Sequence, residues 1–254
     1  MRPSGFLIIT RPVNACVAGL AAIVAYLIDT GTVIPETLLL FTVVALITAA
    51  GNVINDFYDA KIDEINRPRR PIPRGIISRE AARGFAGTLF VAGILVSLFT
   101  SSLCTALAIG NSLLLVAYAA KLKSTPLVGN GAVAYLSASI FLFGGAFNGW
   151  TGLVHMIPIA VITFFAMVSR ELLKDAEDIE GDMAGGADTV PIRIGVKKTA
   201  EFALIISIFS VVASFIPYYW WGIWYLAGII VVDAIIIFAA FLGLHCETSS
   251  CLKA

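Results

Sequence analysis

The chain has 254 residues, 59% of them hydrophobic and 13% charged, with a mean hydropathy of +0.92. A water-soluble domain carries about 25% charged residues and must keep much of its surface wet, so this composition excludes a soluble globule and indicates a polytopic membrane protein. Seventeen Lys+Arg balance 17 Asp+Glu, which argues against nucleic-acid binding through a broad positive surface.

A membrane-crossing helix needs ~20 mostly apolar residues. Eight stretches qualify in chain order, at about 12–29, 37–57, 83–100, 103–121, 127–147, 154–174, 200–219 and 222–243. They are too long and too apolar for barrel strands, so the expected fold is an all-α transmembrane bundle forming a single domain over 1–254. The first stretch opens on Arg11-Pro12, a helix entrance, and lacks a cleavage region after it, so it is expected to be mature structure. Cys16, Cys104, Cys246 and Cys251 contain no CxxC pair and the two histidines lie far apart, so neither a disulfide scaffold nor a Cys/His zinc site is expected.

The basic residues give this bundle a sidedness. Arg2 and Arg11 precede the first span, and Lys61, Arg67, Arg69, Arg70, Arg74, Arg79 and Arg83 fall between the second and third. Lys121 and Lys123 follow the fourth, Arg170 and Lys174 end the sixth, Arg193, Lys197 and Lys198 precede the seventh, and Lys253 follows the eighth. All 17 lie on one side of an eight-span arrangement. The positive-inside rule therefore predicts cytoplasmic termini and basic loops in a multi-pass protein of the cell membrane. Trp150, Trp220, Trp221 and Trp224, with Tyr218 and Tyr219, gather at the opposite ends, where an aromatic belt belongs.

The acidic residues concentrate on the basic side. After the second span come Asn55, Asp56, Asp59 and Asp63, followed by Pro71-Ile72-Pro73-Arg74-Gly75. After the sixth come Asp175, Asp178 and Asp182, followed by Pro191-Ile192-Arg193-Ile194-Gly195. Two four-helix pseudo-repeats in the same orientation would produce this echo.

On a helix, Asn55, Asp59 and Asp63 fall at i, i+4 and i+8 on one face, and Asp56 shares a face with Asp63 seven residues on. Asp175, Asp178 and Asp182 fall at i, i+3 and i+7. Like charges so placed need compensation. Neighbouring arginines and solvation supply one kind, and hard divalent cations that bridge to phosphates supply another. Two such clusters, each followed by basic residues, favour a metal–diphosphate clamp, and the absence of a Walker-type glycine loop disfavours nucleotide hydrolysis. Arg67, Arg70, Arg74, Lys121, Lys123, Lys174 and Arg193 are the candidate phosphate-binding cations, with Tyr118 one turn before Lys121 and Asn14 beside Arg11. Arg69 and Arg79 are expected to be membrane-edge anchors. Asn111 shares a face with Tyr118, where interhelical bonding and substrate contact are both open, and Asp233 stands alone inside the eighth span.

Asn55-x-x-x-Asp59-x-x-x-Asp63 and Asp178-x-x-x-Asp182 resemble the two aspartate motifs of the UbiA superfamily of intramembrane prenyltransferases, and Asn66-Arg67-Pro68-Arg69-Arg70-Pro71-Ile72-Pro73 resembles its loop after the first motif. The resemblance runs from Arg11 to about Gly243. Within the superfamily, Tyr118-Ala-Ala-Lys121-Leu-Lys123 through Asn130, and Ser169 through Asp182, are most similar to the archaeal ether-lipid branch.

That resemblance implies magnesium-dependent transfer of a geranylgeranyl group from its diphosphate to the free hydroxyl of geranylgeranylglyceryl phosphate, the second ether bond of archaeal membrane lipids. It implies helices around a central cavity, with Asn55, Asp59, Asp63, Asp175, Asp178 and Asp182 toward Mg2+. Asp59, Asp63, Asp178 and Asp182 are the implied catalytic carboxylates. Arg67, Tyr118, Lys121, Lys123, Asn14, Arg193 and Lys174 are expected toward the prenyl diphosphate and the lipid-phosphate acceptor, with Asp63 or the departing diphosphate as candidate proton acceptor. The superfamily has nine helices where this sequence presents eight, so a final helix is expected to be missing. An aromatic or tetrapyrrole acceptor is the alternative within the superfamily. A cation-coupled transporter is the alternative outside it, disfavoured because transporter ion sites lie near the bilayer midplane.

Overall fold

The structure, a computed structural model, describes residues 3–246 and 248–252; Arg2, Glu247 and Lys253 lie outside them. Among the described residues every regular element is helical. In chain order they are α1 (Pro3–Ile9), α2 (Pro12–Thr30), α3 (Thr37–Asn66), α4 (Arg79–Ser97), α5 (Ser102–Ala120), α6 (Val128–Ala146), α7 (Gly149–His155), α8 (Ile157–Glu177), α9 (Ile179–Ala184), α10 (Val190–Ile194), α11 (Val196–Ser214), α12 (Tyr218–Leu244) and α13 (Ser249–Leu252).

Each of the eight predicted stretches is helical, but fewer qualify as spans. Helices α2 to α6 and α12 are long and apolar enough to cross a membrane, and α7 with α8, bent by 45° at one break, makes a seventh. The stretch expected as a further span is α11, whose 19 residues include Lys197, Lys198 and Glu201 near its start. Those charges interrupt the apolar run that a span requires.

Local chemistry sets the boundaries. Ser78 and Ser101 cap α4 and α5, accepting from the backbone N–H groups of Ala81 and Cys104. Gly31 ends α2 in the left-handed conformation, its N–H bonding to Leu27 O. The two Pro-Ile-x-x-Gly echoes both end in a positive-φ glycine before the next long helix, Gly75 at +68° and Gly195 at +86°, a geometry glycine adopts without steric cost.

The chain divides into two compact units. The first comprises Met1–Lys121 and Ser139–Met156. Its axis is α3, where Leu40, Val43, Val44, Ile47, Ala50, Val53, Ile54 and Phe57 are buried at helical spacing. On α2 the spacing is inverted: Val13, Val17, Leu20 and Val24 form an exposed apolar stripe, which a lipid environment satisfies and water would not. Small residues allow close approach. A Cβ on Gly144 of α6 would stand 2.4 Å from Ala22 O of α2. Asp29, at the end of α2, accepts from Asn148 Nδ2 at 2.8 Å and lies 2.9 Å from His155 Nδ1.

The second unit comprises Leu122–Ala138 and Ile157–Ala254. Here α8 packs on α11, with Ser169 and Ser207 hydroxyls 2.8 Å apart and Ser210 donating to Ile162 O at 2.9 Å. Asp233 of α12 is buried and accepts from Ser214 at 2.6 Å, so this intramembrane carboxyl takes the polar-partner role. Cys246 and Cys251 are disulfide-bonded across the turn between α12 and α13. This single bridge links cysteines five residues apart, a local link rather than a disulfide scaffold.

Candidate functional site

The first acidic cluster lies in the last turns of α3, which continues as one helix through Asn66. Asn55 and Asp59 meet on one face, with Asn55 Nδ2 donating to Asp59 Oδ2 at 2.9 Å. The other amide atom, Asn55 Oδ1, is a buried acceptor with no hydrogen-bond partner. Leaving such an oxygen unmatched costs about 1–3 kcal/mol, so it is an acceptor open to a ligand.

Asp56 and Asp63 serve a different purpose. Asp56 is buried and receives Arg11 Nη2 at 2.6 Å and Arg70 Nη1 at 3.0 Å. The same Arg70 nitrogen lies 2.6 Å from Asp63 Oδ2, and Asp63 is also buried. Arg11 precedes Pro12 in the left-handed conformation, at φ +50°. Burial lowers its pKa and the charge of Asp56 opposes that shift. Sequence reasoning placed Asp63 with Asn55 and Asp59 and read Arg70 as a phosphate-binding candidate, without its bridge between Asp56 and Asp63. The seven-residue spacing of Asp56 and Asp63 was the available signal.

The second cluster lies in the second unit and departs from one continuous helix. Helix α8 ends at Glu177, Asp178 takes the N-cap position of α9, and Asp182 N–H bonds to Asp178 O at 3.0 Å. Asp178 and Asp182 thus keep their i, i+4 relation on a new short helix. Burial, followed by the charge of Asp178, pushes the Asp182 carboxyl above the ordinary carboxylate range, against Lys174 and Lys123. Asp175 stays on α8 and accepts from Asn130 Nδ2 of α6 at 2.7 Å. Asn130 closes a segment that carries the family resemblance, but no spacing paired it with Asp175, 45 residues away. Glu171 is buried between Arg170 and Lys174, with Lys174 Nζ at 3.5 Å.

The remaining expected residues fall as follows. Arg67 is exposed at the end of α3 and Lys121 at the end of α5, while Tyr118 is half-buried one turn before Lys121. Helices α3 and α5 touch where a Cβ on Gly51 would come within 2.8 Å of Leu115. Lys123 sits in a 3-10 turn, half-buried. Asn14 is exposed on α2. Arg193 is forked onto Asp188, at 2.8 and 2.5 Å, which holds the Asp188 carboxyl below its ordinary range. It borders a groove of 420 Å³ lined by Pro126, Leu127, Val190, Ile194 and Phe202. Arg79 donates to Phe57 O at 3.0 Å and stacks over the Phe57 ring, a packing role. Asn111 donates to Ser139 at 2.9 Å, the interhelical bond that was one of its two readings.

Among the described residues no three of His, Cys, Asp and Glu converge to hold a metal by themselves. A cation at either cluster must draw on amide oxygen, water or phosphate, as magnesium does. Asn55 Oδ1 beside Asp59, and Asp178 beside Asp182, suit that habit.

Residues 17–254 match the model of the UbiA prenyltransferase family. The chain is 63% identical over 250 residues to a protein of Methanoregula boonei named digeranylgeranylglyceryl phosphate synthase, covering 98% of this chain and 90% of that one. A solved structure concerned with digeranylgeranylglyceryl phosphate synthase in membranes superposes with a TM-score of 0.82 at 35% identity, covering 98% of this chain and 90% of that one. A UbiA homologue from Archaeoglobus fulgidus bound to GPP and Mg2+ superposes with a TM-score of 0.77 at 18% identity, covering 95% and 86%, and shares the fold. A family match over nearly the whole length, on an all-helical chain with two separated acidic clusters, leaves one assignment: this chain belongs to the UbiA prenyltransferase family.

Proposed function

We propose that the chain is a magnesium-dependent prenyltransferase that moves a geranylgeranyl group from geranylgeranyl diphosphate to the free hydroxyl of geranylgeranylglyceryl phosphate. The observation that carries this reading is the near-full-length identity to the Methanoregula boonei enzyme, on a chain whose two carboxylate clusters each lie beside fixed cations.

The reaction breaks the allylic C–O bond to diphosphate, forms a C–O bond to the acceptor, and releases the hydroxyl proton. Negative charge grows on the departing diphosphate, so groups that bind it more tightly at the transition state than in the substrate lower the barrier. Bound Mg2+ supplies charge neutralisation at those oxygens. Asn55 and Asp59 would offer oxygens to such an ion at the first cluster, and Asp178 and Asp182 at the second, while Asp63 and Asp175 are held by Arg70 and Asn130. Lys121, Lys123, Arg67 and Lys174 take phosphate oxygens as point charges or forks, and Tyr118 orients them by hydrogen bonding. Arg193 is a further candidate for a phosphate oxygen, and Arg11 and Lys174 are the candidates for the acceptor's own phosphate. Arg193 would take that oxygen by exchanging Asp188 for phosphate. The apolar walls of a membrane bundle keep water from the cation-like allylic fragment. Each buried methylene of the isoprenoid chain adds ~0.8 kcal/mol to retention in the bilayer. The basic residues that flank both acidic clusters favour a cytoplasmic face for the active-site loops.

The test is turnover of radiolabelled geranylgeranyl diphosphate by the protein in liposomes, with geranylgeranylglyceryl phosphate and a quinone-precursor aromatic acid as competing acceptors. Ether-lipid product that requires Mg2+ supports the reading. Prenylated aromatic product would reassign the acceptor, and undiminished turnover in chelator would remove the metal role.

A further inference from the structure

Arg11, Asp56, Arg70 and Asp63 form a cluster of two guanidinium groups and two carboxylates whose formal charges cancel. Its centre is Asp56. This carboxylate is 2% exposed, and one of its oxygens, Oδ1, takes both arginines. Asp56 therefore holds no outward-facing oxygen surface comparable to Asp59, which is half-buried. Arg70 is the member that spans the cluster. Its Nη1 bridges Asp56 and Asp63, while 15% of its side chain stays accessible. Asp56 adjoins Asn55 and Asp63 follows Asp59 by about one helical turn on α3, so the guanidinium that bridges Asp56 and Asp63 is held by carboxylates of the same segment as the Asn55–Asp59 pair.

A guanidinium seated there can receive the same anion that the Asn55–Asp59 pair receives, provided it does not swing away. An unrestrained arginine side chain loses about 2 kcal/mol of rotamer entropy when it is immobilised, so a seat that immobilises it beforehand strengthens anion binding. Asp63 alone provides one contact. Asp56 provides the second, and Arg11 shares the same Asp56 oxygen, with Asn52 bonding the neighbouring Thr10 O at 3.0 Å.

We infer that Asp56 is a positioning residue of the transfer reaction: it seats Arg70 over Asp63 so that the Arg70 guanidinium meets the diphosphate of the prenyl donor. The inference rests on the proposed prenyl-diphosphate function and assigns Asp56 no contact with substrate.

The experiment measures KM for geranylgeranyl diphosphate and kcat in liposomes, with calorimetric binding of inorganic diphosphate in the presence of Mg2+ as the readout independent of turnover. The variants are Asp56→Asn, Arg70→Gln, the double variant Asp56→Asn/Arg70→Gln, and Asp56→Asn/Arg11→Gln, in which the formal charges again cancel. Each single variant is expected to weaken diphosphate binding and raise KM by about tenfold, with a smaller change in kcat. Asp56→Asn/Arg70→Gln should be no worse than Arg70→Gln alone, since the two residues act through one contact. Asp56→Asn/Arg11→Gln should remain impaired. Additive losses in the first double variant, or recovery of diphosphate binding in the charge-restored one, would overturn the inference by showing that Asp56 contributes net charge or general stability. Should Asp56→Asn alone not fold, the charge-restored variant carries the same comparison. Wild-type protein that binds no diphosphate would instead defeat the function on which the inference rests.

Discussion

Asn130 on α6 donates to Asp175 on α8 at 2.7 Å, joining two helices of the second unit through residues 45 apart in the chain. The bond matches a buried amide to a carboxylate on the neighbouring helix. Replacing Asn130 by Ala is expected to cost about 1–3 kcal/mol of stability, seen as a lower unfolding temperature in detergent. Asn130→Asp should be worse than Asn130→Ala, because it sets two carboxyl groups against each other. Equal melting of the two variants would count against this account.

Asp59, Asp178 and Asp182 are expected to carry turnover. Alanine at any one should lower kcat/KM by about a thousandfold or more while insertion and unfolding temperature stay near those of the wild type. Asp188→Ala removes only an exposed partner of Arg193 and should change the rate by less than about tenfold. Rates measured side by side in one liposome preparation distinguish the two classes.

Acidity should weaken divalent-cation binding at the second cluster. Burial and Asp178 raise the Asp182 pKa, so a proton is retained to higher pH than on an ordinary carboxyl, and a cation must displace it. The apparent affinity for Mn2+, followed by electron paramagnetic resonance, is therefore expected to fall as pH is lowered, beginning above the usual carboxylate range. Asp178→Asn removes a like charge and should move that fall to lower pH.

Close helix contact at Gly144 gives a steric prediction. A Cβ there would stand 2.4 Å from Ala22 O and 2.5 Å from Ala25 Cβ, so neither backbone nor side chain can yield without moving α2. Gly144→Ala is expected to destabilise by about 1–3 kcal/mol. By contrast Gly87, with nothing within 4 Å of its would-be Cβ, should accept alanine with no loss. Thermal melts of the two variants test the difference.

Composition and spacing made much of this protein legible. Eight apolar stretches predicted eight helices, and the two acidic clusters with their Pro-Ile-x-x-Gly sequels marked where the chemistry lies. Apolarity and i, i+4 spacing are properties of the chain read locally, and helices obey them locally. What tertiary structure alone decided is how each carboxylate is used. Asn55 and Asp59 share a face with an unmatched amide oxygen, whereas Asp56 and Asp63, in the same motif, are taken by Arg11 and Arg70. Asp175 is claimed by Asn130, and Asp178 begins a new helix instead of continuing α8. Those assignments depend on partners brought from other helices and loops, and a buried charge takes its role from the counter-charge packed against it, which no periodicity in its own helix encodes.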